Sequence, residues 1–127
     1  MATEAERAAR IRYRNSPKGK AKFKALVNRW QRTPKGRFAH LRNRSKYDST
    51  EMTLTLEEYK ELIAQPCFYC GGPLQDTGAG LDRINNEAGY VKGNVRPCCV
   101  QCNIAKNDWT ESEFKEWALR LYNHWMR

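Results

Sequence analysis

The chain has 127 residues, 40% of them hydrophobic, and 23 Lys/Arg against 14 Asp/Glu, for a formal net charge of +9. That length fits one domain with an extension, the small core it allows needs a staple, and no apolar run is long enough to cross a bilayer. The charge is uneven: residues 1–50 hold 15 Lys/Arg and 3 Asp/Glu, and residues 51–127 hold 8 and 11. A basic half joined to a nearly neutral one predicts an arm that neutralises phosphates, over 1–50, beside a separate functional module, over 51–127.

The opening MATEAERAARIRYR lacks the apolar segment of a secretory signal. A reducing, cytoplasmic setting is therefore expected, where paired cysteines bind metal more often than they form disulfides. A short repeat follows, SPKGKAKF from Ser16 and TPKGRFAH from Thr33. Each copy offers a hydroxyl N-cap and a proline at the first helical position. Phe23, Leu26, Val27 and Trp30 then fall on one face of a helix, as do Phe38 and Leu41 of the next. Arg37, His40 and Arg44 are expected on the opposite face, and with Lys18 and Lys20 they are the candidate nucleic-acid-binding cations of the arm. Further on, TLEEYKELIAQP carries a capping box, Thr55 with Glu58, and Pro66 should end that helix.

The centre, from Pro66 to Asp108, differs. Cys67 and Cys70 form one CxxC turn, and Cys99 and Cys102 a second. Four thiolates from two such knuckles are the tetrahedral set of structural zinc, closed to water. Of the five cysteines, Cys98 competes with Cys99, and Cys99 is preferred because it keeps the CxxC spacing. GLDRI and YVKGNVRP read as two strands joined by NNEAG, and CVQCNIAKND as a short helix. Asp82 ends the first strand and Asn103 follows the last cysteine. Each alone is a common turn or cap residue. Held together by zinc, the carboxylate and the amide oxygen are a hard-ligand pair suited to Mg²⁺ or Mn²⁺, with positions left for water and phosphate. The last helix has Thr110 as cap, with Glu113 completing a box. Its stripe of Phe114, Trp117, Ala118, Leu121, Tyr122 and Trp125 is expected to be core.

The ordered set CxxC, LDR, GYVKGNV and CxxCN with Lys106 after it, over residues 66–108, resembles the HNH endonucleases. It is most similar to the zinc-stapled subgroup of phage-type homing nucleases and endonuclease VII-like junction resolvases. The resemblance implies an α+β, ββα-metal (treble-clef-like) core with a structural four-cysteine zinc, preceded by basic helices and followed by an amphipathic C-terminal one. It implies hydrolysis of DNA phosphodiesters, in duplex or branched DNA, by an intracellular, nucleoid-associated or phage-encoded protein acting as monomer or homodimer. By position, Asp82 and Asn103 would bind one divalent ion and Asn94 would fix the loop of the catalytic base, with Lys106 among the DNA contacts. The sequence departs from the family where Arg83 stands in the place of the basic histidine. A guanidinium cannot accept a proton near neutrality, but it can grip a phosphate. His40 and His124 have no evident route to the hairpin, and Glu87 and Tyr90 near the turn are further candidates. The expectation is therefore an attacking water that ionises without a protein base. The rival reading is a zinc-stapled nucleic-acid-binding module without catalysis.

Overall fold

The computed structural model describes all of Met1–Arg127, six helices and one two-stranded antiparallel hairpin in an α+β arrangement. In chain order these are α1 (Glu4–Asn15), α2 (Pro17–Gln31), α3 (Pro34–Tyr47), α4 (Leu56–Ile63), β1 (Leu81–Arg83), β2 (Val95–Pro97), α5 (Val100–Lys106) and α6 (Glu111–Trp125).

The repeat makes two helix corners. Ser16 caps α2 by accepting from the Gly19 amide, and its hydroxyl donates back to the Tyr13 carbonyl at the end of α1. Thr33 does the same between Gly36 and the Trp30 carbonyl. One side chain thereby satisfies an orphan carbonyl of one helix and an orphan amide of the next at each corner. The glycines are required because consecutive helices meet there: a Cβ on Gly36 would lie 2.0 Å from the Trp30 carbonyl oxygen. α1 is not among the expected elements, although Thr3 and Glu6 form the same reciprocal box that marks α4.

The core is small. Phe38 and Leu41 of α3 join Leu54, Tyr59, Leu81 and Val95 in one buried cluster. Tyr59 is tied down by its hydroxyl, which donates to the Ala79 carbonyl at 2.6 Å. The core therefore crosses residue 50, with α3 belonging to it and α1 and α2 lying outside. Of the apolar stripe of α2, Phe23, Leu26 and Trp30 remain exposed.

Two expectations are corrected. β2 begins only at Val95, in register Leu81↔Pro97, Asp82↔Arg96 and Arg83↔Val95. Tyr90 instead bridges Met52, and Gly89 lets the backbones meet, since a Cβ there would sit 2.2 Å from the Glu51 carbonyl oxygen. The stripe of α6 is not core: the helix has no buried residue, and Trp125 is 80% exposed. Only its foot is held, by Phe114 against Tyr69, by Trp109 against Trp117 and by Glu111 within 3.3 Å of Arg96. The Thr110 box is half formed, with Thr110 accepting from the Glu113 amide and no return bond.

Deleting residues 1–15 should leave the thermal melt of the remainder nearly unchanged. Deleting 1–50 removes Phe38 and Leu41, each worth about 2–5 kcal/mol in a core, against a total of about 5–15 kcal/mol. That truncation should abolish the cooperative transition followed by circular dichroism.

Candidate functional site

Two knuckles meet at the end of the hairpin. The Cys67 amide donates to the Gly72 carbonyl, the Gly71 amide returns to the Cys67 carbonyl, and the Phe68 amide reaches Pro97 of β2. Gly71 adopts φ +72°, which closes the turn after Cys70. The second knuckle opens α5: the Cys99 sulfur caps the helix, accepting from the Cys102 amide.

The ligand atoms of Cys67, Cys70, Cys99 and Cys102 lie within 4.8 Å of one another, with Cys70 and Cys99 sulfurs 3.8 Å apart. Sulfurs about 2.3 Å from one tetrahedral ion would be about 3.8 Å apart, so the set fits zinc. The thiol chemistry agrees. Burial pushes the Cys67 thiol up, but hydrogen bonds from the backbone of Cys70, Cys99 and Tyr69 outweigh it and bring it to about 6. Burial and the neighbouring sulfurs of Cys99, Cys70 and Cys67 push Cys102 the other way. Four thiolates need a dication among them, and this cluster is consistent with structural zinc. Cys98 stays outside the set: its thiol is buried, donates to the Cys99 carbonyl and is pushed up by burial and by Cys67.

A cleft of about 420 Å³ runs beside the hairpin and is lined by His40 and Arg44 of α3, Asp82 and Arg83 of β1, Tyr90, and Asn103 of α5. Asp82 and Asn103 thus line one cavity. The Asn103 amide nitrogen leans on the Leu81 carbonyl at 3.4 Å, which leaves its oxygen unengaged. Asp82 is only 5% exposed, and it is gripped from two sides. The Tyr69 hydroxyl donates to one carboxylate oxygen at 2.5 Å. The Lys106 ammonium lies 3.3 Å from both oxygens. Burial and Asp82 raise the Tyr69 phenol well above its ordinary range, so it remains a donor. A carboxylate offers about four lone-pair sites, so these contacts leave room for a hard cation. Such a cation has to share Asp82 with Lys106.

Several side chains play parts the sequence does not suggest. Lys106, expected among the DNA contacts, is 1% exposed and meets Asp82 instead. Tyr69 carries no signal in the sequence, because its role depends on the fold alone. Arg83 donates from Nη1 to the carbonyls of Asn86 and Ala88, both at 3.1 Å, and its guanidinium lies over the Tyr90 ring. Asn94 clamps the same loop through the Asn85 amide and the Asn85 and Gly89 carbonyls. Of the arm cations, Lys18, Lys20 and Arg44 are exposed, whereas Arg37 is buried against Gly78. His40 lines the cleft, although the sequence offers it no evident route there. His124 lies near the free end of α6, in a separate hollow with Glu116 and Arg120.

No family model matches the sequence. The chain is 36% identical over 85 residues to the uncharacterized protein R423 of Acanthamoeba polyphaga mimivirus, covering 66% of this chain and 16% of that protein. It is 31% identical over 105 residues to an uncharacterized 29.0 kDa protein from the dda-modA intergenic region of Enterobacteria phage T4, covering 76% and 42%. The chain thus spans less than half the length of either viral relative. In three dimensions it is similar to PacI, a rare-cutting HNH restriction endonuclease, with a TM-score of 0.56 and 20% identity over 74% of this chain and 80% of that one. The fold resembles that of an HNH endonuclease.

Native protein should carry one zinc per chain by metal analysis. Cys99→Ser should lose it and lower solubility, while Cys98→Ser should keep it. The reverse pattern would reassign the fourth ligand.

Proposed function

We propose that the chain is a metal-dependent endonuclease of the ββα-metal type that hydrolyses phosphodiesters in duplex or branched DNA. The observation that carries this reading is one cleft that gathers Asp82, Asn103, Arg83 and His40 beside a four-cysteine cluster. Mg²⁺ or Mn²⁺ held by Asp82 and Asn103 would stabilise charge on the phosphate and the leaving oxygen. Tyr69 and Lys106 hold the Asp82 carboxylate in place. Arg83, with Nη1 committed to the loop, offers its remaining donors to the scissile phosphate. Asn94 keeps the loop that backs Arg83 in position. The exposed cations of α1 and α2, Lys18 and Lys20 among them, clamp the backbone outside the cleft, and Arg44 adds to this at its rim.

The proton of the attacking water goes to His40. It lines the cavity that holds Asp82 and Asn103, and an imidazole is the side chain suited to this transfer at neutral pH. The charged groups around it are Arg32 at the C-cap of α2, Arg37 and Arg44 of α3, and Asp82, Arg83 and Asp108 across the cleft. A single site nicks one strand, so a double-strand break needs a homodimer or two encounters. The viral relatives support a phage-like, intracellular setting, and no helix is long and apolar enough to cross a membrane.

One observation favours the rival reading of a binding module without catalysis: Asp82 is already compensated by Lys106. Supercoiled plasmid with Mg²⁺ or Mn²⁺, with and without EDTA, separates the two. Metal-dependent nicking is expected, and intact plasmid under every condition would establish the binder. Asn103→Ala should abolish nicking while DNA affinity holds. It is a cleaner probe than Asp82→Ala, which strands the buried Lys106 charge at a cost of about 3–5 kcal/mol.

The pH profile tests His40. The wild-type rate should level off as pH rises, as it does when one side chain takes the proton. In His40→Gln it should fall about 10²–10⁴-fold near neutrality and climb log-linearly with pH. Superimposable profiles would return the reaction to a water that ionises unaided.

A further inference from the structure

A second hollow lies on the far side of His40, between α2, α3 and the loop that leads into β1. It encloses about 280 Å³ and is lined by Asn28, Gln31, Arg32, Arg37, His40 and Thr77, with Gly78 behind them. No carboxylate and no apolar side chain lines it. Arg37 is the buried member, 8% exposed, among neighbours that are otherwise largely open to solvent. Its Nε donates to the Gly78 carbonyl at 2.9 Å, its Nη2 is buried with no hydrogen-bond partner, and no acidic side chain pairs with it. A buried guanidinium without an anion is costly, and such groups are normally paired. The surroundings supply donors: a second guanidinium from Arg32, the amides of Asn28 and Gln31, and the Thr77 hydroxyl.

We propose that this hollow holds one backbone phosphate of the DNA, next along the strand from the phosphate in the cleft. The inference rests on the reading of the chain as a DNA-cleaving enzyme and adds a fixed anchoring point to it. His40 and Gly78 line both cavities, so a strand that leaves the cleft past His40 enters this hollow directly. Arg32, at the corner that joins α2 to α3, then meets the phosphate through a charge-assisted bond, the Arg37 guanidinium adds its charge from the wall of the hollow, and Thr77 closes it from the loop. A phosphate held here fixes which linkage lies over Asp82, since contacts to the backbone set register and orientation. The basic helices thus do more than attract DNA, because one of their cations is built into the wall of the fold.

The test uses the zinc-loaded full chain and short duplexes in Ca²⁺ without Mg²⁺. One strand carries a single neutral methylphosphonate linkage, moved one position at a time. Arg32 faces solvent, so Arg32→Gln leaves the fold intact, and Gln31→Ala serves as a second variant. Arg32→Gln should weaken binding about tenfold and make the slope of log affinity against log salt shallower by about 0.9. Its effect should vanish with the methylphosphonate at one linkage near the nick and persist with it elsewhere. An equal loss at every linkage, or no loss, overturns the anchoring site. Plasmid nicking is scored in parallel. A wild type that nicks while Arg32→Gln binds normally removes the anchor and keeps the nuclease. A wild type that never nicks, yet shows the linkage-specific loss, keeps the anchor and removes the nuclease.

Discussion

The four-sulfur cluster is the constraint on which the rest of the site depends. It joins the Cys67–Cys70 knuckle to the start of α5. The first piece carries Tyr69, and the second carries Asn103 and Lys106. Tyr69 and Lys106 both reach Asp82 on β1, the tyrosine by its hydroxyl and the lysine by its ammonium. A dication bonded to all four sulfurs would lock the two pieces, and with them both grips on Asp82, into one unit. A structural zinc site contributes about 10–16 kcal/mol, comparable to the whole stability of a small domain. With six residues in its main core, this chain has little else of that size to draw on. A buried Asp–Lys pair is weak evidence of stability in itself, because desolvation offsets attraction. Its value here is to orient a carboxylate that would otherwise turn freely on a three-residue strand.

Local chemistry was legible in the sequence; tertiary chemistry was legible only where a spacing encoded it. Ser16, Thr33, Thr55 and Thr110 cap helices as their hydroxyls predict, since a cap is decided within four residues. The CxxC pairs point to both the sulfur cluster and the choice of Cys99 over Cys98, because tetrahedral geometry acts through that spacing. Tyr69 and Lys106 bear no such mark: their partner is 13 and 24 residues away, and only the folded hairpin brings it near. Periodicity misleads at α6. An apolar stripe shows that a helix is amphipathic and says nothing about whether a partner covers it.

Arg83 organises the loop beside the cleft. In this chain the position after Asp82 is used to close the loop, through the Asn86 and Ala88 carbonyls and the face of Tyr90. Asn94 binds the same loop from its far end. The loop is therefore held at both ends by side chains that also face, or back, the cleft. A histidine cannot make Arg83's pair of carbonyl bonds from one nitrogen, so Arg83→His would loosen the loop.

With that position committed to the loop, the proton acceptor we propose, His40, comes from α3. The Thr33 corner sets the start of α3, and Gly36 allows it to turn tightly away from α2. Phe38 and Leu41 then bury one face in the core. Residue 40 lies between these anchors and is turned by the helical period to the side that faces β1 and α5, where His40 lines the cleft with Arg44 one turn on. Arg37, one turn earlier, stays buried and bonded to the loop that precedes β1. The same apolar spacing that makes α3 part of the core thus aims its basic face at the site. Charge alone placed this helix with the arm; packing makes it a wall of the cleft.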